Sequence, residues 1–364
     1  RSPLLTMTKT TMTISKQEEN DISTNNAPPD FSSMSSLYQP KSPTILKSYK
    51  HKKNNWTLTY RYKPASPGHE NDTPLLLIHP VGIGLSSWFW DNFLNEWDGG
   101  EVYAPDLIGC GLENGVADNW IPEKQGLFFP LSWAEGCETL IEEEILSSVR
   151  RRKRGKSNFA SSLLGAFTNN NSSNDDDGDG VIVVSQGGLA PVGVSIASRN
   201  SYPTSLTGKN YVKGLIMASP PKWNEMITPI PENNLSDQYD FFTSKVRGGL
   251  AFALLESKWA VEFFSNLFLF SNDCDDEWIE RATGDAACKE ARTPVMAFNA
   301  GFCNARSFEY ELTNLEIKTL VLSGLDDEER EEQRRKYGSE MKNCVMESLR
   351  GKNVLPWESP VQFC

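Results

Sequence analysis

The run Val181-Ile182-Val183-Val184-Ser185-Gln186-Gly187-Gly188-Leu189-Ala190-Pro191 constrains this chain more than any other stretch. Four β-branched residues ahead of a polar, Gly-containing turn have the pattern of a short strand buried on both faces, and such strands belong to parallel sheets. The bend must follow at once. Gly187 and Gly188 permit a sharp turn and close packing, and residues 189–198 have the pattern of a helix that starts beneath it. Strand, serine, glycine and helix in that order form a V-x-S-x-G variant of the G-x-S-x-G elbow, which presents a serine hydroxyl at a strand end. The same residues read equally well as a strand ending in a Ser-Gln-Gly-Gly turn without chemistry.

Composition narrows the alternatives. A chain of 364 residues with 38% hydrophobic content, 10 Trp and 18 Phe can build the core of one large α/β domain. Its formal net charge of -12 argues against a nucleic-acid surface, which needs clustered cations. No apolar run approaches the roughly 20 residues needed to span a bilayer. Seven cysteines (110, 137, 274, 288, 303, 344 and 364) are scattered without a C-x-x-C pair, which fits an intracellular, reducing compartment rather than a disulfide framework. Nothing in the residues calls for a metal or a cofactor. The sequons at Asn55, Asn71, Asn170, Asn171 and Asn234 carry no weight in a chain this rich in Asn, Ser and Thr.

Along the chain, residues 1–50 lack apolar periodicity and are predicted to be disordered. Up to Glu18 they are basic, hydroxylated and free of acids, as at the end of an organellar transit peptide. The core is predicted to occupy 55–222 and 313–364, with a helical cap over 223–312 inserted after the sixth strand. Trp56–Tyr62 alternates as a half-buried antiparallel strand. Leu75–Ile78, Val102–Ala104, Gly214–Ala218, Thr319–Gly324 and Val345–Leu349 read as further strands. A helix over 132–149 is predicted to start in a Ser132/Glu135 capping box. Residues 150–180 open with five basic residues and close in an Asn/Ser/Asp/Gly tract, the composition of a polar, disordered insertion. Within it, Asp175, Asp177, Asp179 and Gly180 imitate the start of an EF-hand loop by coincidence, since the twelfth position is Gln186. The chain begins with Arg1 and ends at Cys364, where a terminal helix would only have begun, so both ends read as clipped. In the cap, Phe241, Phe242, Phe252, Trp259, Phe263, Phe264, Phe268 and Phe270 are expected inside, some of them facing a pocket.

Strands followed in order by H-P-V-G-x-G, P-D-L-x-G-C-G, S-Q-G-G, S-P-P, G-L-D-D and N-x-L-P-W-E-S-P resemble the α/β-hydrolase superfamily over about residues 56–364. The S-Q-G-G elbow and the N-V-L-P-W-E-S-P end are similar to a cyanobacterial and plastid branch, which implies a plastid location. The resemblance implies a doubly wound, mostly parallel sheet with a helical cap. It places Ser185 at the nucleophile and Asp327 at the acid, with Asp326 as competitor. The amides of Val81 and Gln186 fall at the oxyanion hole, while His79, Gly82, Gly187 and Gly188 take structural roles. Asp327 fits a helix N-cap equally well. The family's histidine is replaced by Asn353, an amide that cannot take the serine proton, and its side chain is expected near Ser185 and Asp327. His51, in the tail, and His69, in a turn at the far end of the sheet, do not substitute for it.

Two functions follow from these residues. One is a weak or atypical serine hydrolase for an apolar ester or acyl ligand, with a degenerate triad. The other is a non-catalytic protein that uses the same pocket to bind a ligand or partner.

Overall fold

Uninterrupted aliphatic runs become the centre of the sheet because both of their faces can be covered by helices. The computed structural model describes residues 44–121, 130–152, 180–203 and 205–364. The expectations for residues 1–43, for 153–179 and for the Asp175–Asp179 run lie outside the described residues. Eight strands are present: β1 (Ile45–Lys50), β2 (Thr57–Lys63), β3 (Leu75–Ile78), β4 (Val102–Pro105), β5 (Val181–Gln186), β6 (Val212–Ala218), β7 (Lys318–Gly324) and β8 (Cys344–Leu349). They form one sheet in the order β1-β2-β4-β3-β5-β6-β7-β8. β2 runs antiparallel to both β1 and β4, and every other pair is parallel. All side chains of β3 and β4 are buried, whereas the edge strand β8 exposes Val345, Glu347 and Ser348.

β1 corrects the expectation of disorder for the last residues of the 1–50 segment. It is an edge strand whose only buried residue is Tyr49, so it carries no legible alternation. Tyr49 packs edge-on against Tyr60 at 5.9 Å and donates a hydrogen bond to the Gly136 carbonyl at 3.1 Å. His51 is likewise buried rather than in a loose tail: its Nδ1 accepts from the Asn54 amide at 3.3 Å.

Helices cover both faces. They are α1 (Asp91–Glu96), α2 (Leu131–Leu140) and α3 (Ala190–Arg199) in the first part of the core. α2 starts at Leu131 after Pro130 with no side-chain cap, so the Ser132/Glu135 capping box does not form; Ser132 is already inside the helix and buried. Beyond Leu140 the helix widens through one π-type turn, Ile141–Ile145, and continues to residue 152. Between β6 and β7 lie α4 (Trp223–Ile227), α5 (Glu232–Thr243), α6 (Arg247–Leu255), α7 (Lys258–Phe268), α8 (Asp276–Asp285), α9 (Arg292–Asn299) and α10 (Glu309–Asn314). α11 (Glu328–Glu340), α12 (Leu355–Glu358) and α13 (Pro360–Phe363) complete the chain.

β5 is central, flanked by β3 and β6, and its carboxyl end opens towards α4–α10. In an open parallel sheet this crevice is where ligands bind. A cavity of about 650 Å³ lies there, bounded by the β3, β5 and β6 ends on one side and by α6, α7 and α9 on the other.

Candidate functional site

The elbow lies two residues beyond the position that the motif suggested. β5 runs through Ser185 to Gln186, with Ser185 opposite Ile78 and Met217 and Gln186 opposite Ala218. Ser185 is therefore an interior strand residue with no exposure, and its hydroxyl donates a long 3.5 Å bond to the Ile216 carbonyl. It points away from the cavity, towards α3, where a Cβ added at Gly193 would stand 2.7 Å from Ser185 Oγ. The bend comes at Gly187, whose φ of +58° is the left-handed conformation that favours glycine. A Cβ at Gly187 would meet no atom within 4 Å, and Gly187 lines the cavity. The residue that a nucleophile elbow presents to the pocket is thus Gly187, which has no side chain. The strand's alternation turns Ser185 into the core, away from the cavity.

Gln186 belongs to the last rung of the sheet, and the first residue past the bend is Gly188. Val81, Gln186 and Gly188 all line the cavity. Gly82 lies beside them. His79 is buried behind this loop, with Nδ1 2.7 Å from the Pro80 carbonyl and Nε2 accepting from the Leu107 amide at 3.1 Å. Those partners select the tautomer with hydrogen on Nδ1, and burial lowers the ring's pKa, so the imidazole is neutral. His69 is an exposed residue of the turn before β3, hydrogen-bonded to Asp72 at 2.6 Å. None of the three histidines lines the cavity.

Asp327 and Asn353 do come together, through a residue that the sequence reading did not single out. Arg334, on α11, has no exposure; its Nη1 lies 2.9 Å from Asp327 Oδ2 as an ion pair rather than an aligned hydrogen bond. Nη2 donates to Asn353 Oδ1 at 3.0 Å, and Nε donates to the Pro220 carbonyl at 3.0 Å. Burial pulls the Arg334 pKa down and the Asp327 carboxylate opposes that pull. Asp327 precedes α11, yet its side chain makes no cap bond; the carboxylate is spent on the guanidinium. Asp326 is exposed and accepts from the Gly351 amide at 3.2 Å.

Asn353 is tied on every side. Its Nδ2 donates to the Phe268 carbonyl at 2.5 Å, its amide donates to the Leu269 carbonyl at 2.9 Å, and its own carbonyl accepts from Gln186 Nε2. The expected approach to Ser185 does not occur, since Ser185 faces the opposite side of β5. Arg334 had a signal in the sequence: Asp327, Arg330 and Arg334 at spacings of three and four share one helical stripe. Arg330 lines the cavity, 4.0 Å from Asp327.

Ser219 and Ser265 are cavity-lining hydroxyls that sequence reasoning overlooked. Ser219 follows β6 with φ of +46° and donates to the Lys352 carbonyl at 3.3 Å. The opposite wall is apolar, built from Phe242, Leu255, Val261, Phe264, Phe268 and Phe298. Trp259, Phe263 and Phe241 do not contribute: they are exposed, which corrects the expectation that the cap aromatics lie inside. Phe252 and Phe270 are buried. Among the described residues, no three His, Cys, Asp or Glu side chains converge as a metal site requires.

Comparison with known proteins identifies the fold. No curated protein sequence matches the chain. Among solved structures, the CarC serine hydrolase of carbazole degradation is similar with a TM-score of 0.57 at 14% identity, covering 88% of this chain and 96% of that one. A membrane phospholipase A described as a bacterial virulence factor is similar with a TM-score of 0.58 at 16% identity, covering 92% and 87%. A loop variant of the haloalkane dehalogenase DbeA from Bradyrhizobium elkanii reaches 0.55 at 17% identity, covering 88% and 93%. The sequence profile of the alpha/beta hydrolase family matches residues 75–364, and the chain belongs to that family.

Proposed function

We propose that this chain is a non-catalytic member of the family that binds an apolar acyl-type ligand in the cavity under its cap. The observation that carries this reading is Gly187: the turn that would present a nucleophile ends in a residue without a side chain, facing open space. The neighbouring positions support it. An amide stands where a base would be needed, and the carboxylate that would orient that base is neutralised by Arg334. The cavity walls are mainly aliphatic and aromatic, with polar groups confined to a few points such as Glu225, Asn299 and Arg330. A pocket of this make-up takes an apolar body with a small polar end.

The test pairs labelling with binding. A fluorophosphonate probe is expected to leave the folded protein unlabelled, while a fluorescent fatty acid binds saturably and is displaced by unlabelled fatty acid. Ester turnover that disappears on Ser185→Ala or Ser219→Ala would overturn the proposal in favour of an atypical hydrolase.

A further inference from the structure

The cap carries an outward apolar surface that none of the described residues covers. Val246, Leu250 and Leu254 recur every four residues at and along α6, and Trp259, Phe263 and Leu267 do the same on α7. That spacing places each set on one stripe of its helix. All six are exposed, between 46% and 70%. Two stripes of large apolar side chains on adjacent helices exceed what solvent-facing helices ordinarily show and mark an interaction surface. Trp259 and Phe263 are stacked with centroids 5.4 Å apart, so the aromatic part of the surface is already ordered.

We propose that this face of α6 and α7 seats on a phospholipid bilayer surface and that the cavity is filled from it with an acyl chain; the second half rests on the apolar-ligand reading above. What selects a bilayer over a protein is continuity. Phe264 and Phe268, next to the outward stripe on α7, are exposed at 38% and 51% and also line the cavity, and Leu255 at the end of α6 lines it too. Apolar side chains of α7 therefore belong to both the outside of the cap and the inside of the cavity. A folded partner would cover the stripes and those shared side chains. Lipid covers them and supplies what the cavity is shaped to hold.

Charge is compatible with this. Exposed ions flanking the stripes in sequence include Lys245, Arg247 and Lys258 against Asp240, Glu262 and Asp273. On a chain of net charge -12, these six balance, so this margin is less anionic than the chain as a whole and is repelled less by lipid phosphates. Trp and Phe beside Lys on a helix with a large apolar arc are the features of helices that lie in a membrane interface. Among the described residues no helix is long and apolar enough to cross a membrane, so the contact is with the surface.

The experiment is vesicle co-sedimentation of the full chain, with phosphatidylcholine vesicles with and without phosphatidylglycerol. Two variants avoid the cavity lining: Trp259→Ser with Phe263→Ser, and Leu250→Gln with Leu254→Gln. Each is expected to lower the partition constant at least about tenfold, the loss that follows from no longer burying two large apolar side chains. Displacement of a fluorescent fatty acid, measured without vesicles, is expected to stay unchanged in both. Wild-type protein that binds the fatty acid but not vesicles would overturn the docking proposal and leave the cavity reading standing. Protein that binds neither overturns both. A dimer that the same substitutions dissociate, without vesicle binding, assigns the face to a second copy and also overturns the proposal.

Discussion

Gly187→Ser tests the register of the elbow directly. A serine at φ +58° carries the left-handed penalty of about 1–2 kcal/mol, and no atom lies within 4 Å of the new Cβ to add a clash. At about 2–4 °C per kcal/mol for chains of a few hundred residues, the expected cost is a few degrees in Tm, and the variant should fold. Its hydroxyl would face the cavity, which Val81 and Gly188 also line. The single variant is expected to hydrolyse p-nitrophenyl acetate barely above background, because no base is present. Adding Asn353→His alone is expected to help little: the imidazole would meet the Arg334 guanidinium, which already holds Asp327. Replacing Arg334 with Met as well frees Asp327 to orient the imidazole. The triple variant is expected to exceed Gly187→Ser by at least about a hundredfold, the low end of general-base catalysis. Fluorophosphonate labelling, with the labelled peptide identified by mass spectrometry, reads the same series. A folded triple variant that stays unlabelled at position 187, or a wild-type protein labelled at Ser185, would refute this placement of the elbow.

Three further outcomes follow from the same geometry. Asp327→Asn removes the counter-charge of a guanidinium with no exposure and should lower unfolding free energy in urea by about 3 kcal/mol, whereas a merely vestigial acid would give no change. Ser185→Ala replaces a buried hydroxyl that makes a single 3.5 Å bond, and should alter stability by less than about 1 kcal/mol with fatty-acid binding intact; a loss of binding would return Ser185 to the site. Burial, and then the nearby Asp106 carboxylate, push Glu113 up to about 7 from its ordinary 4.5. A carboxyl whose pKa is raised on folding stabilises below its unfolded value and loses that contribution as pH climbs through the folded one. Glu113→Gln should therefore become progressively more stable than wild type between pH of about 4.5 and 7, by at most about 3 kcal/mol, and parallel stability curves would refute the shift.

The sheet was legible because its central strands are unbroken aliphatic runs, a pattern with few other homes. β1 was not, since Tyr49 is its single buried side chain and the rest of the strand faces solvent. The elbow misled for a different reason. Ser185-Gln186-Gly187-Gly188 contains both a serine two residues before a glycine and a glycine able to make the bend itself. Only the backbone angle at Gly187 separates the two registers, and side-chain identities do not encode it. Arg334 was hidden in a helix of charged residues, where one buried guanidinium looks like its solvated neighbours. On α7, apolar residues occupy most of the circumference, so composition could not say which of them face water.

The polar groups around Asn353 also limit how the cavity can open. A triad needs an imidazole free to exchange a proton, whereas Asn353 is held by Arg334, Gln186, Phe268 and Leu269 at once. Two of those bonds, together with Lys352 Nζ to the Leu267 carbonyl at 2.6 Å, fasten the carboxyl end of α7 to the core. Swinging that end away as a lid breaks three hydrogen bonds, at a net cost of about 1 kcal/mol each, so an open state would be populated roughly a hundredfold less than the closed one. The amino end of α7 is tied to a different partner, since Glu256 just ahead of it accepts from both Nε and Nη2 of Arg292 on α9. Leu255 and Phe264 line the cavity on α6 and α7. Opening the cavity at the carboxyl end of α7 therefore requires breaking the Asn353 and Lys352 bonds, and opening it at the amino end requires parting the Arg292–Glu256 pair.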